Sequence, residues 1–227
     1  MYCFVYVHRS RDIMPSLEDR VSEEAAMLCN EFVYLKLRQR GLLNRGRQTA
    51  AVKLIPTAAT KKTRHQPKEI TIQDTVLELQ VVSAEMEQLY PNLFKDVFTQ
   101  LNIRVTSEEV VEEAVTAVAS EIFRSGITWA RVVAMFAVAA TLAAECVQQR
   151  THDHAAFVDR VVRSLSHFVR ENLAEWIARE GGWGDMTRTF RGVKEDDSNM
   201  LMTIGVVGAL CGFAGTILAT GKLQDNL

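Results

Sequence analysis

The sequence is short of the features that would make it an enzyme, a secreted domain or a nucleic-acid binder. Lys and Arg number 26 against 28 Asp and Glu, so the formal charge is -2. That balance supplies no global attraction to nucleic acid or to an acidic membrane. The four cysteines, Cys3, Cys29, Cys146 and Cys211, are widely separated, which argues against a disulfide framework and suits a reducing compartment. After Met1 an apolar stretch of only six residues, Tyr2 to Val7, precedes His8 and Arg9, too short for a secretory segment, so none is expected. No alternating stretch longer than Tyr2 to Val7 occurs, so an almost entirely helical protein is predicted. Phosphate-cradling glycine loops, a nucleophile elbow and an oriented cysteine–base pair are all missing.

Two constellations imitate chemistry. His152 and His154 are two apart with only Asp153 beside them; four metal ligands are not assembled, and a solvated turn is expected. Glu108, Glu109, Glu112 and Glu113 resemble paired carboxylates but occupy the first turns of a predicted helix, where the dipole favours negative charge. No metal, no cofactor and no catalysis are expected.

What is present is helical punctuation. Glu23 to Gln39 carries Ala26, Cys29, Phe32, Val33 and Leu37 at helical spacing, closed by Gly41. A long basic loop is expected over 44–72: between Asn44 and Lys68 stand seven Lys or Arg, no acid, and Pro56 and Pro67. From Gln73 to Tyr90, Val76, Leu79, Val82, Met86 and Leu89 form one apolar stripe. Pro91 ends that helix and can open the next, with Leu93, Phe94, Val97, Phe98 and Leu101 on one face. Thr106 and Glu109 have capping-box spacing before a helix that stops at Ser125 and Gly126.

Thr128 is then placed to cap a helix in which Val132 to Ala144 is thirteen residues without a charge. A segment apolar all round must be buried on every side, and it is short for a confident membrane span. The next stripe, Phe157, Val158, Val161, Val162, Leu165, Phe168 and Val169, completes a helical hairpin. After a linker at 193–199, Met200 to Thr220 is 21 residues without a charge. As a helix it would rise about 32 Å, at roughly 1.5 Å per residue, against a bilayer core of about 30 Å. A C-terminal transmembrane anchor is predicted. Within it Gly208 and Gly212 make the small-xxx-small pattern that lets membrane helices pack, so a plain anchor and homo- or hetero-oligomer packing both fit.

The stretch Phe123-Arg-Ser-Gly-Ile-Thr-Trp-Ala-Arg-Val-Val-Ala-Met-Phe resembles the first Bcl-homology motif, and Trp176-Ile-Ala-Arg-Glu-Gly-Gly-Trp183 the second. The chain is thereby similar to the Bcl-2 family of apoptosis regulators from about Glu23 to Thr220. Gly126-Ile-Thr-Trp, and Ala137-Val-Ala-Ala followed by Glu145-Cys-Val-Gln-Gln, are most like the Bok branch and its insect relatives. The resemblance implies an all-α Bcl-2-like bundle over 23–192, following an N-terminal segment 1–22, with the hydrophobic hairpin at its centre and the anchor after it. It implies tail-anchoring on the cytosolic face of an intracellular membrane, mitochondrial or reticular. It also implies a groove receiving the amphipathic helices of other family members.

By motif, Arg131 would meet the aspartate of an incoming helix, with Val132, Val133 and Phe136 as floor or wall and Trp129 and Ala130 beside them. Leu79, Val82, Ser83 and Met86 fall in the chain's own third motif. Trp176, Gly181, Gly182 and Trp183 belong to the second, where tryptophan core packing and a glycine joint are the simpler roles. Two departures matter. Ala130 replaces the usual glycine of Trp-Gly-Arg, which narrows the groove, and Ala84 stands where the third motif has aspartate. Losing one side of that charge pair costs about 2 to 5 kcal/mol, so the chain's own helix should be a weak ligand. Three readings stay open: an effector that permeabilises membranes, slightly favoured by the overall likeness to Bok; a guardian that sequesters effector helices; and a non-apoptotic tail-anchored scaffold.

Overall fold

A computed structural model describes residues 16–43, 70–94, 97, 101, 103–148 and 154–193. The described residues are helical with no strand among them. Helix α1 spans Leu17–Gln39, and α2 spans Ile72–Leu89. A 3₁₀ turn, Pro91–Leu93, follows α2. Then come α3 (Glu108–Phe123), α4 (Trp129–Gln148) and α5 (His154–Phe168). A π-helical stretch, Val169–Leu173, joins α5 to α6 (Ala174–Arg179), and α7 spans Trp183–Val193. The anchor expected at 200–220, with Gly208 and Gly212, lies outside the described residues. So do most of the basic loop, most of 1–22 and all of the 193–199 linker except Val193, the last residue of α7.

Helix α1 begins six residues before the expected Glu23. Ser16 and Asp19 form a capping box there, the Ser16 hydroxyl accepting from the Asp19 backbone N–H at 3.0 Å. Both hydrogen bonds from Ser16 hold the Asp19 carboxyl below its ordinary 3.8. Its buried face is Val21, Ala25, Leu28, Cys29, Phe32, Val33 and Leu37, and Ala26 turns outward. Thr71 and Asp74 build the same box for α2, so the end of the predicted loop is already helix cap. The cap of α3 is Ser107 rather than Thr106. Its hydroxyl accepts from the Val110 N–H and hydrogen-bonds Glu109, lowering that carboxyl's pKa. The neighbouring acids reach across instead: Glu108 takes Arg160 and Arg163, and Glu112 takes Arg160, at 2.9 to 3.0 Å. These pairs tie α3 to α5, each contributing about 0.2–1 kcal/mol at its half-exposed position.

Helix α4 is the axis. Every residue from Val132 to Ala144 is buried, and α1, α2, α3 and α5 all pack on it. Enclosure satisfies an apolar circumference that water would not. Among the described residues it alone is long and apolar enough to cross a membrane. Its start is set by Thr128, whose hydroxyl accepts from the Arg131 N–H at 3.3 Å, and by Gly126, whose φ of +107° lets the chain turn after α3. Beyond α2, the expected helix is described only in part. Phe94 and Val97 are buried, Leu101 is half-buried, and the Val97 N–H donates to Glu145 of α4 at 2.6 Å.

Candidate functional site

Arg131 stands in the first turn of α4, half-buried. Its Nη1 donates to the carbonyl oxygen of Gly126 at 2.7 Å, and no carboxylate pairs with it among the described residues. Met135, Val138 and Leu142 follow it at i+4, i+7 and i+11, on the same face of α4. With Ala139 they meet Val115, Val118 and Ala119 of α3 around a small cavity of about 10 Å³. Arg131 therefore caps the α3–α4 seam.

The three residues expected to line a groove beside it lie deeper. Val132, Val133 and Phe136 are fully buried. Phe136 meets the rings of Phe32 (5.6 Å) and Trp183 (6.0 Å) edge-on. It supports the α1 and α7 side of α4 and offers no surface in this conformation. The seam residues that the sequence reading missed share Arg131's helical spacing, which was the available signal.

Trp129 and Trp183 are buried, and Trp176 is half-buried against them. Ring centroids lie 4.9 Å apart for Trp129–Trp176 and 6.2 Å for Trp129–Trp183. Both buried indoles find acceptors: Trp129 Nε1 donates to Asp185 at 3.0 Å, and Trp183 Nε1 to the Val21 carbonyl at 3.1 Å. The cluster joins α1, α4, α6 and α7 as scaffold. Gly181 and Gly182, at φ of +100° and +83°, form the joint between α6 and α7, a conformation that side chains resist. Ala130 is half-buried beside this cluster.

Helix α2 turns Leu79, Val82, Ser83 and Met86 into the core. The buried Ser83 hydroxyl donates to the Gln80 carbonyl at 3.1 Å. Polar staples fix both ends of α2. Arg191 of α7 reaches Asp74 and Glu78, at 3.5 and 3.2 Å, while Lys36 of α1 and its C-cap Arg40 reach Glu87, at 2.8 and 3.5 Å. The face of α2 expected to carry the third motif is thus buried.

Comparison with protein families matches residues 79–183 to "Apoptosis regulator proteins, Bcl-2 family". The zebrafish (Danio rerio) Bcl-2-related ovarian killer protein homolog A is 31% identical over 188 residues, 78% of this chain and 76% of that protein. The chain belongs to the Bcl-2 family. The chicken (Gallus gallus) Bcl-2-related ovarian killer protein is 43% identical over 129 residues, and the match spans only 57% of each protein. The crystal structure of chicken BOK superposes with a TM-score of 0.61 at 32% identity, covering 77% of this chain and 98% of that one. The Bcl-2 fold is shared as well with Trichoplax adhaerens trBcl-2L2, solved bound to trBak BH3, at a TM-score of 0.57 and 18% identity over 74% of this chain and 98% of that one. The Bcl-2 match runs from Leu79 on the inward face of α2, through Arg131, to Trp183 in the tryptophan cluster, so it contains both the seam and its scaffold.

Proposed function

We propose that this chain regulates apoptosis at an intracellular membrane by receiving the amphipathic third-motif helices of other Bcl-2 family proteins beside Arg131. The observation that carries the reading is the state of that guanidinium. It tops an apolar seam and is engaged by one neutral backbone oxygen, with no carboxylate partner among the described residues. Exchanging that oxygen for the aspartate of an incoming helix replaces a neutral acceptor with a charged, bidentate one, which is the stronger bond. Val115, Val118, Met135 and Val138 supply the apolar contact, once helices α3 and α4 part enough to admit the visitor. Val132, Val133 and Phe136 brace the seam from beneath. No catalysis is assigned.

A titration of a fluorescent third-motif peptide against wild type and Arg131→Glu tests this. Reversing the charge should weaken binding by about 2 to 5 kcal/mol, thirtyfold or more. Equal affinity for the two proteins would remove the groove reading and leave the scaffold.

In direction, the reading leans to an effector like the ovarian-killer relatives, with α4 as the segment that enters the bilayer and 200–220 as the anchor, packed through Gly208 and Gly212. Ala84, in place of an aspartate, favours the guardian instead. Dye release from cardiolipin-containing liposomes separates them: release supports the effector, and no release with nanomolar peptide binding supports the guardian.

A further inference from the structure

A second concavity, not lined by Arg131, lies where three helix ends meet: the start of α1, the start of α2 and the double-glycine joint before α7. Its volume is about 660 Å³, within the roughly 300–1,000 Å³ typical of small-molecule sites. The glycines open it. Ordinary Cβ atoms would come within 3.9 Å of Leu17 at Gly182 and within 3.7 Å of Ile70 at Gly184. Leu17, Ile70, Ile72 and Trp183 give it apolar walls, and Leu17 remains 43% exposed there, high for a leucine beside a core.

Two guanidiniums complete the lining, Arg20 and Arg188, against a single carboxylate, Glu24. Among the described residues each arginine is held within its own helix, Arg20 by Glu24 at 3.7 Å and Arg188 by Asp185 at 3.4 Å. Charge-assisted bonds close to about 2.7–2.9 Å when well made, so these contacts are loose. Both side chains are 57% exposed, and both can swing to a shared anion at little cost. Asp74, near the same rim, is already bonded by the Thr71 N–H and hydroxyl and by Arg191. The site is therefore apolar on one side and presents two loosely paired guanidiniums on the other.

We propose that this cavity binds a single-chain anionic amphiphile, its phosphate or carboxylate head between Arg20 and Arg188 and its alkyl chain against Leu17, Ile70, Ile72 and Trp183. A ligand there would clasp the first turns of α1, α2 and α7, and so would stabilise α2 in its sequestered position. The inference rests on the cavity alone and does not depend on peptide binding at Arg131.

The test is equilibrium dialysis of the full chain against monomeric dodecyl phosphate, with inorganic phosphate and the uncharged dodecyl maltoside as parallel probes. Dodecyl phosphate should bind and raise the melting temperature. Arg20→Gln with Arg188→Gln should weaken it by roughly ten- to hundredfold, as expected for losing charge-assisted bonds, and Arg20→Lys with Arg188→Lys should restore most of the binding. Both arginines are exposed, so circular dichroism should show unchanged helix content in these variants. Equal binding by wild type and the glutamine variant would overturn the proposal. So would dodecyl maltoside binding as tightly as the phosphate, which would make the site a mere apolar dent, or inorganic phosphate binding as tightly, which would remove the alkyl chain from it.

Discussion

Breaking the Lys36–Glu87 pair from its two sides should give unequal results. The Lys36 side chain is 5% exposed, its Nζ 2.8 Å from Glu87 and 5.8 Å from the centre of the Phe32 ring. Glu87 is 24% exposed and also within 3.5 Å of Arg40. Glu87→Gln leaves a buried ammonium without its counter-charge. Removing one partner of a fully buried pair costs about 3–5 kcal/mol. Solvent reaches Glu87, and the Phe32 face retains about 0.5–1 kcal/mol of cation–π attraction. The expected loss is therefore about 2 kcal/mol, or a melting temperature lower by about 4–8 °C for a chain of this size. Lys36→Met removes the charge that had to be desolvated and keeps the packing volume, while Glu87 keeps Arg40. Its effect should stay within about 1 kcal/mol of zero. Urea unfolding followed by far-ultraviolet circular dichroism measures both, and the double variant closes the cycle. If Lys36→Met destabilises as much as Glu87→Gln, the pair is held by attraction rather than by the penalty of an orphaned charge, and the reasoning fails.

Ser164→Ala should stabilise the bundle by about 1 kcal/mol, because the buried Ser164 hydroxyl has no hydrogen-bond partner among the described residues and alanine is the better helix former; an unchanged or lower unfolding midpoint would refute this. Cys29 and Cys146 are buried, and burial raises both thiols, Cys146 to about 12 with help from Glu145. They should resist iodoacetamide until unfolding exposes them, as peptide mass mapping with and without urea would show. The lowered carboxyl of Asp19 makes the start of α1 acid-sensitive. Its contribution is complete above the ordinary aspartate value and fades as pH falls through the lower folded one, so a carboxyl-carbon NMR titration should put the Asp19 midpoint below 3.8.

Helix α4 was legible because thirteen uncharged residues admit one solution in a bundle, and the structure encloses each of them. The glycine joint and the tryptophan scaffold were legible for similarly local reasons. The start of α1 was less so: a stripe counted from Ala26 or from Ala25 is almost equally good, and only the Ser16–Asp19 box separates them. Which neighbours would cover Phe136 could not be read from the sequence. Whether a residue on an all-apolar helix faces a groove or a tryptophan depends on which neighbour arrives there. The cavity at the glycine joint was hidden for the same reason, since its walls come from residues 17–24, 70–75 and 181–188, far apart in the chain.

The same property that buries α4 also makes it fit for another solvent. Its side chains meet apolar neighbours all round, and a bilayer would offer surroundings of the same kind, so apolar burial distinguishes weakly between the enclosed helix and an inserted one. The contacts that do distinguish them are polar and exist only in the closed bundle: Arg160 and Arg163 on Glu108 and Glu112, Arg191 on Asp74 and Glu78, Lys36 and Arg40 on Glu87, and the Trp129 indole on Asp185. On the proposed function these staples set the threshold for opening. Those that hold α2 matter most, because α2 must leave α4 before its third-motif face can be presented. Weakening the Glu87 staple should therefore lower the peptide concentration needed for dye release, by about tenfold for each 1.4 kcal/mol of stability lost, whereas an equal loss made at Phe136, which packs on Phe32 and Trp183 and holds no staple of α2, should leave that concentration nearly unchanged.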